Sequence, residues 1–131
     1  MEELYEEIYE DLYVTLTGLK HYEASKLLEI GMKLIGIKDY KNKYDQDAIV
    51  VVNEDMYIVG YVANSPYTVI KGTKSAGRIY DYLNLGGYLE VMFITKDSAI
   101  CKVLSSDISD VLDFLDSTTM ENIFNEFNID D

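Results

Sequence analysis

The sequence of 131 residues contains one cysteine, one histidine, one proline and no tryptophan. A single cysteine, Cys101, excludes an intrachain disulfide, and together with the single His21 it excludes a Cys/His metal cluster. A chain without disulfides fits a reducing compartment, so we expect a cytoplasmic protein. Because Cys101 lies in the alternating apolar run 99–103, we expect it to be a small buried hydrophobe and not a nucleophile.

Long apolar runs and familiar catalytic motifs are also missing. No apolar run approaches the ~18 residues of a membrane span, and the acidic start of the chain, residues 1–4, is unlike a signal peptide. There is no phosphate-binding Gly-x-x-x-x-Gly-Lys loop and no Gly-x-Ser-x-Gly elbow. Asp45 and Asp47 could share a cation, but paired carboxylates in an exposed turn are usually solvated. We therefore expect one domain without enzymatic activity, cofactor, metal or membrane association.

The net charge of −13 is concentrated at the two ends of the chain. Residues 1–14 and 106–131 hold six and eight acidic residues and no basic ones. Between them lie all eleven basic residues and ten acidic ones, a net charge of +1. A nearly neutral central region could hold a short nucleic-acid end through clustered cations, but not a long duplex through counterion release.

Several short runs are apolar and rich in β-branched residues, and some of them alternate apolar and polar residues, which predicts β-strands. The predicted strands are residues 14–19, 32–38, 48–53, 57–63, 88–95 and 98–104. Ser65 followed by Pro66 predicts the start of a short helix that ends at Gly72, and residues 75–83 form a second predicted helix.

Both ends of the chain are acidic and amphipathic. Residues 2–13 predict one helix, and the apolar stripes of residues 108–115 and 120–127 predict two more. The predicted division is an N-terminal helix (1–13), a barrel (14–104) and C-terminal helices (105–131), all in one globular unit. Short strands with a few helices between them predict an α+β fold on a small, closed or nearly closed β-barrel of about six strands.

Segment 42–66 gives the strongest indication of function. Asn42, Tyr44 and Asp45 form a polar turn before an apolar run, and Gly60-Tyr61 lies in the next strand-like run. Aromatic, amide and carboxylate side chains on one turn are typical of a recognition surface. The alternative interpretation is a structural Asx-type turn, which any barrel could use.

These residues resemble the HIRAN domain. The pattern of that family is an Asn-x-Tyr-Asp turn, then Ala-Ile-x-Val, then Gly-Tyr or Gly-His after a strand. Lys20-His21-Tyr22 after the strand 16–19, and the segment 65–81, look similar to further parts of small bacterial members. The resemblance covers roughly residues 14–103. It implies an OB- or SH3-like barrel and a stand-alone, non-catalytic module that binds nucleic acid in DNA repair or replication.

The resemblance also implies roles for individual residues. In the family, the matching positions form a pocket for the 3′ end of single-stranded DNA; here they are Lys20, His21, Tyr22, Asn42, Tyr44, Asp45, Tyr61 and Asn64. His21 and Tyr44 would stack on terminal bases, and Asp45 would accept a hydrogen bond from a free 3′-hydroxyl. Asn42 would bond a base edge or the backbone, and Lys20 would contact phosphate.

Four of these positions depart from the family pattern. Lys20 stands where arginine is common, His21 where tyrosine is common, Tyr61 for a histidine and Asn64 for a lysine that contacts phosphate. We therefore expect weaker binding than in the strongest binders of the family. Further phosphate contacts could come from three cations around Gly72 and Gly77, which could equally be an ordinary solvated helix face: Lys71, Lys74 and Arg78.

Two hypotheses on function follow. In the first, the domain binds single-stranded DNA or 3′ ends and works with a helicase, nuclease or other repair protein. In the second, it is a protein–protein interaction module whose acidic terminal helices dock a basic partner or a second subunit, as in a homodimer, and its DNA pocket is degenerate. The first predicts that Lys20, His21, Tyr44 and Asp45 line one open groove, and the second predicts that this groove is filled.

Overall fold

The structure, a computed structural model, describes residues 12–112. The strands are β1 (Tyr13–Thr17), β2 (Lys33–Lys38), β3 (Ile49–Val52), β4 (Ile58–Val62), β5 (Gly86–Ile94) and β6 (Ala99–Val103). The helices are α1 (Ala76–Ile79) and α2 (Ser109–Leu112), and short 3₁₀ helices cover Leu19–His21, Glu23–Leu27 and Tyr80–Tyr82.

The six strands close into one antiparallel barrel in the order β1-β4-β3-β2-β5-β6. Val14 of β1 pairs with Cys101 of β6, which closes the barrel, and Leu16 pairs with both Val62 of β4 and Ala99 of β6. Each of these strands therefore has a neighbour on both sides and presents no free edge. The predicted small β-barrel of about six strands is confirmed.

The main core fills the interior of the barrel. Alternate residues of the strands point inward, so Leu34, Ile49, Val51 and Leu89 are 2% exposed or less. Burying each such side chain contributes about 1.5–3 kcal/mol. Cys101 is fully buried in the same cluster, which confirms that it acts as a small hydrophobe.

A second, smaller core lies on the outer face of β2, β3 and β4. Ile35, Ile37, Val50 and Val52 are in the opposite phase to the interior residues, yet they are 3% exposed or less. Ile108, which lies between β6 and α2 in the sequence, packs on these residues and is 1% exposed. The half-buried residues that pack against the same cluster are Tyr22, Met56 and Tyr88.

A hydrogen bond ties α2 to the barrel beside this second core. The hydroxyl of Tyr88 on β5 donates to a carboxylate oxygen of Asp110 at 2.8 Å. The beginning of the acidic C-terminal region therefore packs against its own barrel.

The helix predicted between Pro66 and Gly72 is wrong, because the structure has only turns there. The N–H groups of Thr68 and Val69 donate to the carbonyl of Ser65, which completes one turn. The next donor, the N–H of Ile70, binds Oγ1 of Thr15 on β1 at 3.1 Å. A contact with a residue 55 positions away thus replaces the hydrogen bond that would continue a helix.

The other predicted elements agree with the structure to within a few residues. All six strands are confirmed, and the predicted helix 75–83 is present as α1 followed by the 3₁₀ helix Tyr80–Tyr82. Most of the predicted N-terminal helix lies outside the described residues, but its last residue, Tyr13, opens β1 instead. Of the predicted C-terminal helices, the described residues contain α2, and the rest lie beyond them.

Candidate nucleic-acid interface

The Asn42 turn is held together by the side chain of Asn42. Its Oδ1 accepts hydrogen bonds from the backbone N–H groups of Tyr44 and Asp45, at 2.8 and 2.9 Å. Its Nδ2 donates to the carboxylate of Asp39, which is fully buried, at 3.2 Å. In this Asx-type turn the residue Tyr44 is 76% exposed. The amide of Asn42 is thus engaged in shaping the turn that presents Tyr44 and Asp45.

Asp45 lies at the centre of a hydrogen-bond network that joins two distant parts of the chain. Nδ2 of Asn64, just beyond β4, is 3.1 Å from each carboxylate oxygen of Asp45. Oδ1 of Asp45 also accepts the N–H of Asp47 at 2.9 Å. Oδ1 of Asn64 in turn accepts the N–H of Gly77 in α1 at 2.8 Å. The turn, the end of β4 and α1 therefore meet at Asn64.

The surroundings of this network are negatively charged. Burial raises the pKa of the Tyr80 hydroxyl, and nearby carboxylates raise it further, in the order Asp47, Asp39, Asp81 and Asp45. The ammonium of Lys38 lies 4.2 Å from the centroid of the Tyr80 ring, in a cation–π contact. A field that disfavours a phenolate here also disfavours a phosphate group placed close to these carboxylates.

A second group of candidate residues follows β1. Gly18 adopts a left-handed conformation (φ 75°) that turns the chain into the 3₁₀ helix Leu19–His21. The side chains of Lys20 and His21 are exposed, whereas Tyr22 is half-buried against the second core. The rings of His21 and Tyr22 meet edge to face, with centroids 6.5 Å apart. The turn thus directs one aromatic ring to solvent and anchors the other.

His21 and Tyr22 line a groove of about 620 Å³ together with Tyr57 and Ile58 at the start of β4. Asn64, by contrast, follows the other end of β4. Asn64 is six positions after Ile58, which in extended chain corresponds to about 20 Å. The structure therefore places the candidate residues in two groups along β4, with the half-buried Tyr61 between them.

The three predicted phosphate contacts are all exposed. Lys71 lies in the turn before Gly72, and Lys74 is held beside β1 by a hydrogen bond from its N–H to the carbonyl of Tyr13. Arg78 belongs to α1 and directly follows Gly77. Of the three, Arg78 is therefore adjacent in sequence to a member of the Asp45 network.

The sequence indicated Gly77 only as a neighbour of possible phosphate contacts. It did not indicate that the N–H of Gly77 would hold Asn64, nor that Asn64 would hold Asp45. These partners are 13 and 19 positions from Asn64, and no local pattern connects them. Within residues 12–112, no three His, Cys, Asp or Glu side chains are grouped to hold a metal ion. Over the same residues, no helix has the length and apolar character that crossing a membrane requires.

Comparison with solved structures supports the fold. A protein from Lactobacillus plantarum, a structural genomics target, is similar over 70% of this chain and 87% of its own, with 22% identity and a TM-score of 0.51. The HIRAN domain of human HLTF is similar over 69% of each chain, with 18% identity and a TM-score of 0.51. No curated protein matches the chain.

The sequence model of the HIRAN domain matches residues 9–70. This range contains every candidate residue from Lys20 to Asn64 and stops before Lys71, Lys74 and Arg78. HIRAN domains are nucleic-acid-binding modules and not catalytic domains. The predicted resemblance is thereby confirmed: residues 9–70 of this chain match the model of the HIRAN domain.

Proposed function

We propose that this domain binds the 3′-hydroxyl end of single-stranded DNA and performs no chemistry of its own. The observation that carries the proposal is the Asn42 turn, which exposes the ring of Tyr44 beside the half-buried carboxylate of Asp45. The base of a terminal nucleoside can stack on the aromatic ring while its free 3′-hydroxyl donates a hydrogen bond to the carboxylate.

The chemistry of Asp45 favours an unblocked end. A carboxylate accepts a hydrogen bond from a hydroxyl group but repels a phosphate. The carboxylates of Asp47 and Asp39, which belong to the same hydrogen-bonded turn, add to that repulsion. Stacking of the last base on Tyr44 would contribute about 1–3 kcal/mol whatever the base. The expected ligand class is therefore a single-stranded 3′ end of any sequence.

The rest of the DNA strand would extend along β4, past Tyr61, towards Lys20 and His21. The span of about 20 Å suits a few nucleotides, since OB-like barrels contact about 4–16 nucleotides each. Because residues 15–105 hold eleven basic and ten acidic residues, long-range attraction is weak, and we expect modest affinity that falls quickly with salt.

The test is a binding titration of 5′-labelled oligonucleotides that end in a 3′-hydroxyl or a 3′-phosphate, at low salt. We expect the native protein to prefer the hydroxyl end, Asp45→Ala to lose that preference, and Tyr44→Ala to weaken both ends alike. Asp97→Ala removes an exposed carboxylate in the β5–β6 turn and serves as the matched control. Failure of both oligonucleotides to bind at ~100 µM protein, where ordinary nonspecific binding is detectable, would contradict the proposal.

The alternative is a protein–protein interaction module that acts through the acidic ends of the chain. Lys20 and His21 lie near one end of β4 and the Asp45 network lies near the other, so the described residues do not form the single open groove that the first hypothesis predicted. The exposure of Lys20, His21 and Tyr44 nevertheless counts against a filled groove. The packing of Ile108 and Asp110 on the barrel further supports a structural role for the beginning of the C-terminal region. A helicase, nuclease or other repair protein and a second copy of the chain remain proposed partners of the DNA-bound module.

A further inference from the structure

The carboxylate of Asp45 is almost fully occupied by hydrogen bonds within the protein. A carboxylate offers about four acceptor positions. Asn64 Nδ2, 3.1 Å from both oxygens, takes one position on each. The N–H of Asp47 takes a second position on Oδ1. One position, on Oδ2, is left for a donor outside this network.

The orientation of Asn64 is itself fixed by α1. Its Oδ1 accepts the N–H of Gly77, so its Nδ2 must face Asp45. A Cβ atom at Gly77 would lie 3.2 Å from this Oδ1 and 3.1 Å from Oδ2 of Asp47. The absence of a side chain at Gly77 therefore lets α1 approach both the amide and the second carboxylate closely.

We propose that Asn64 is the positioning residue of the 3′-end site. It holds the Asp45 carboxylate at one angle, leaves a single acceptor position for one hydroxyl donor, and derives its own position from α1. The inference rests on the proposed function. It gives Asn64 a role different from that of a phosphate contact, because its amide is engaged on both sides within the protein.

The first test compares hydroxyl-end and phosphate-end affinities of two variants. Asn64→Leu has a similar size but neither donates nor accepts hydrogen bonds, and Asn64→Asp keeps an acceptor for Gly77 while facing Asp45 with a second carboxylate. We expect Asn64→Leu to reduce the hydroxyl preference about tenfold or more, in the range of one hydrogen bond to a charged group. Asn64→Asp should weaken the binding of both ends, because it loses the donor to Asp45 and its added carboxylate also repels phosphate. Asn84→Asp adds the same charge at an exposed site outside this network and should keep the preference.

An effect through overall folding would lower the affinities for both ends equally and leave their ratio unchanged. A ratio within about twofold of the native value in Asn64→Leu would therefore overturn the inference, because Asp45 would then need no support from Asn64.

The second test requires no DNA and separates this inference from the proposed function. Hydrogen exchange of the Gly77 amide, followed by NMR, reports on its bond to Asn64. We expect Asn64→Leu to speed exchange and Asn64→Asp to retain protection. Asp45→Ala alone should speed exchange of the Gly77 amide. It should have no further effect when combined with Asn64→Leu, because Asn64 is the residue that links Asp45 to Gly77. Equal effects of Asp45→Ala in both backgrounds would overturn the inference even if DNA binds. The expected pattern would support it even if no oligonucleotide binds and the proposed function fails.

Discussion

The ring of Tyr61 lies directly against the backbone of Gly18. A Cβ atom at Gly18 would be 2.5 Å from Cε1 of Tyr61, and the φ angle of this glycine is +75°. The same residue therefore turns the chain towards Lys20 and His21 and makes room for an aromatic ring on β4.

Gly18→Ala is expected to destabilise the fold and to weaken DNA binding. The left-handed backbone alone costs a non-glycine residue about 1–2 kcal/mol, and the clash with Tyr61 adds to that cost. Gly31→Ala is the matched control, since Gly31 has φ +92° and nothing within 4 Å of its added Cβ. Urea unfolding should show a larger loss for Gly18→Ala; equal losses would mean that Tyr61 moves aside freely.

Lys20→Ala is expected to weaken both kinds of DNA end alike and to reduce the salt dependence of binding. Removing one phosphate contact lowers the slope of log affinity against log salt by about 0.7 for single-stranded nucleic acid. Lys96→Ala removes an exposed cation from the β5–β6 turn and should leave the slope unchanged. A change in the preference between hydroxyl and phosphate ends with Lys20→Ala would contradict a simple phosphate contact.

Tyr88 should contribute stability that disappears at alkaline pH. Burial, then the hydrogen bond to Asp110, then the charges of Asp110 and Asp107, raise the pKa of Tyr88 from 10.0 to about 12. Because the folded-state pKa is raised, the contribution is fully present below pH 10 and is lost as the pH rises towards 12.

The measurement is the free energy of unfolding in urea between pH 8 and pH 12. Tyr88→Phe should cost about 1 kcal/mol at pH 8, and its difference from the native protein should shrink across this range. Tyr67→Phe, at a ring that is 97% exposed, is the control for loss of a hydroxyl. A difference for Tyr88→Phe that does not change with pH would show that the bond to Asp110 has no energetic role.

Ile108→Ala should destabilise the protein through the second core. Removing a fully buried isoleucine side chain typically costs about 2–5 kcal/mol, and Ile108 is 1% exposed. Leu104→Ala, at a residue that is 36% exposed, should cost less. Thermal unfolding of both variants checks this prediction; equal losses would mean that the second core contributes little to stability.

The thiol of Cys101 should be inert in the native protein. Burial raises its pKa from 9.0 to about 12, so almost no thiolate is present at pH 8. A disulfide reagent at pH 8 should therefore label the urea-unfolded chain within minutes and the native chain only as fast as it opens. Rapid labelling of the native chain would contradict the burial of this residue.

Most of the barrel could be predicted from the sequence, because the phase of apolar residues along a strand is a local property. The short apolar runs in segments 32–38, 48–53 and 98–104 located three strands to within a residue or two. The Asn42 turn could also be predicted from the sequence, because an asparagine side chain can reach the backbone N–H groups two and three residues later, here those of Tyr44 and Asp45.

Which distant groups meet depends on the tertiary structure. Oγ1 of Thr15 accepts the N–H of Ile70, which prevents the helix that the Ser65-Pro66 pair predicted. Ile108 covers residues of the outer face that alternation alone would expose to solvent. Asn64 faces Asp45 because β3 and β4 are neighbours in the barrel and because α1 supplies Gly77. Strand faces and turns follow from neighbouring residues, whereas these contacts depend on the order in which strands close, which no short segment encodes.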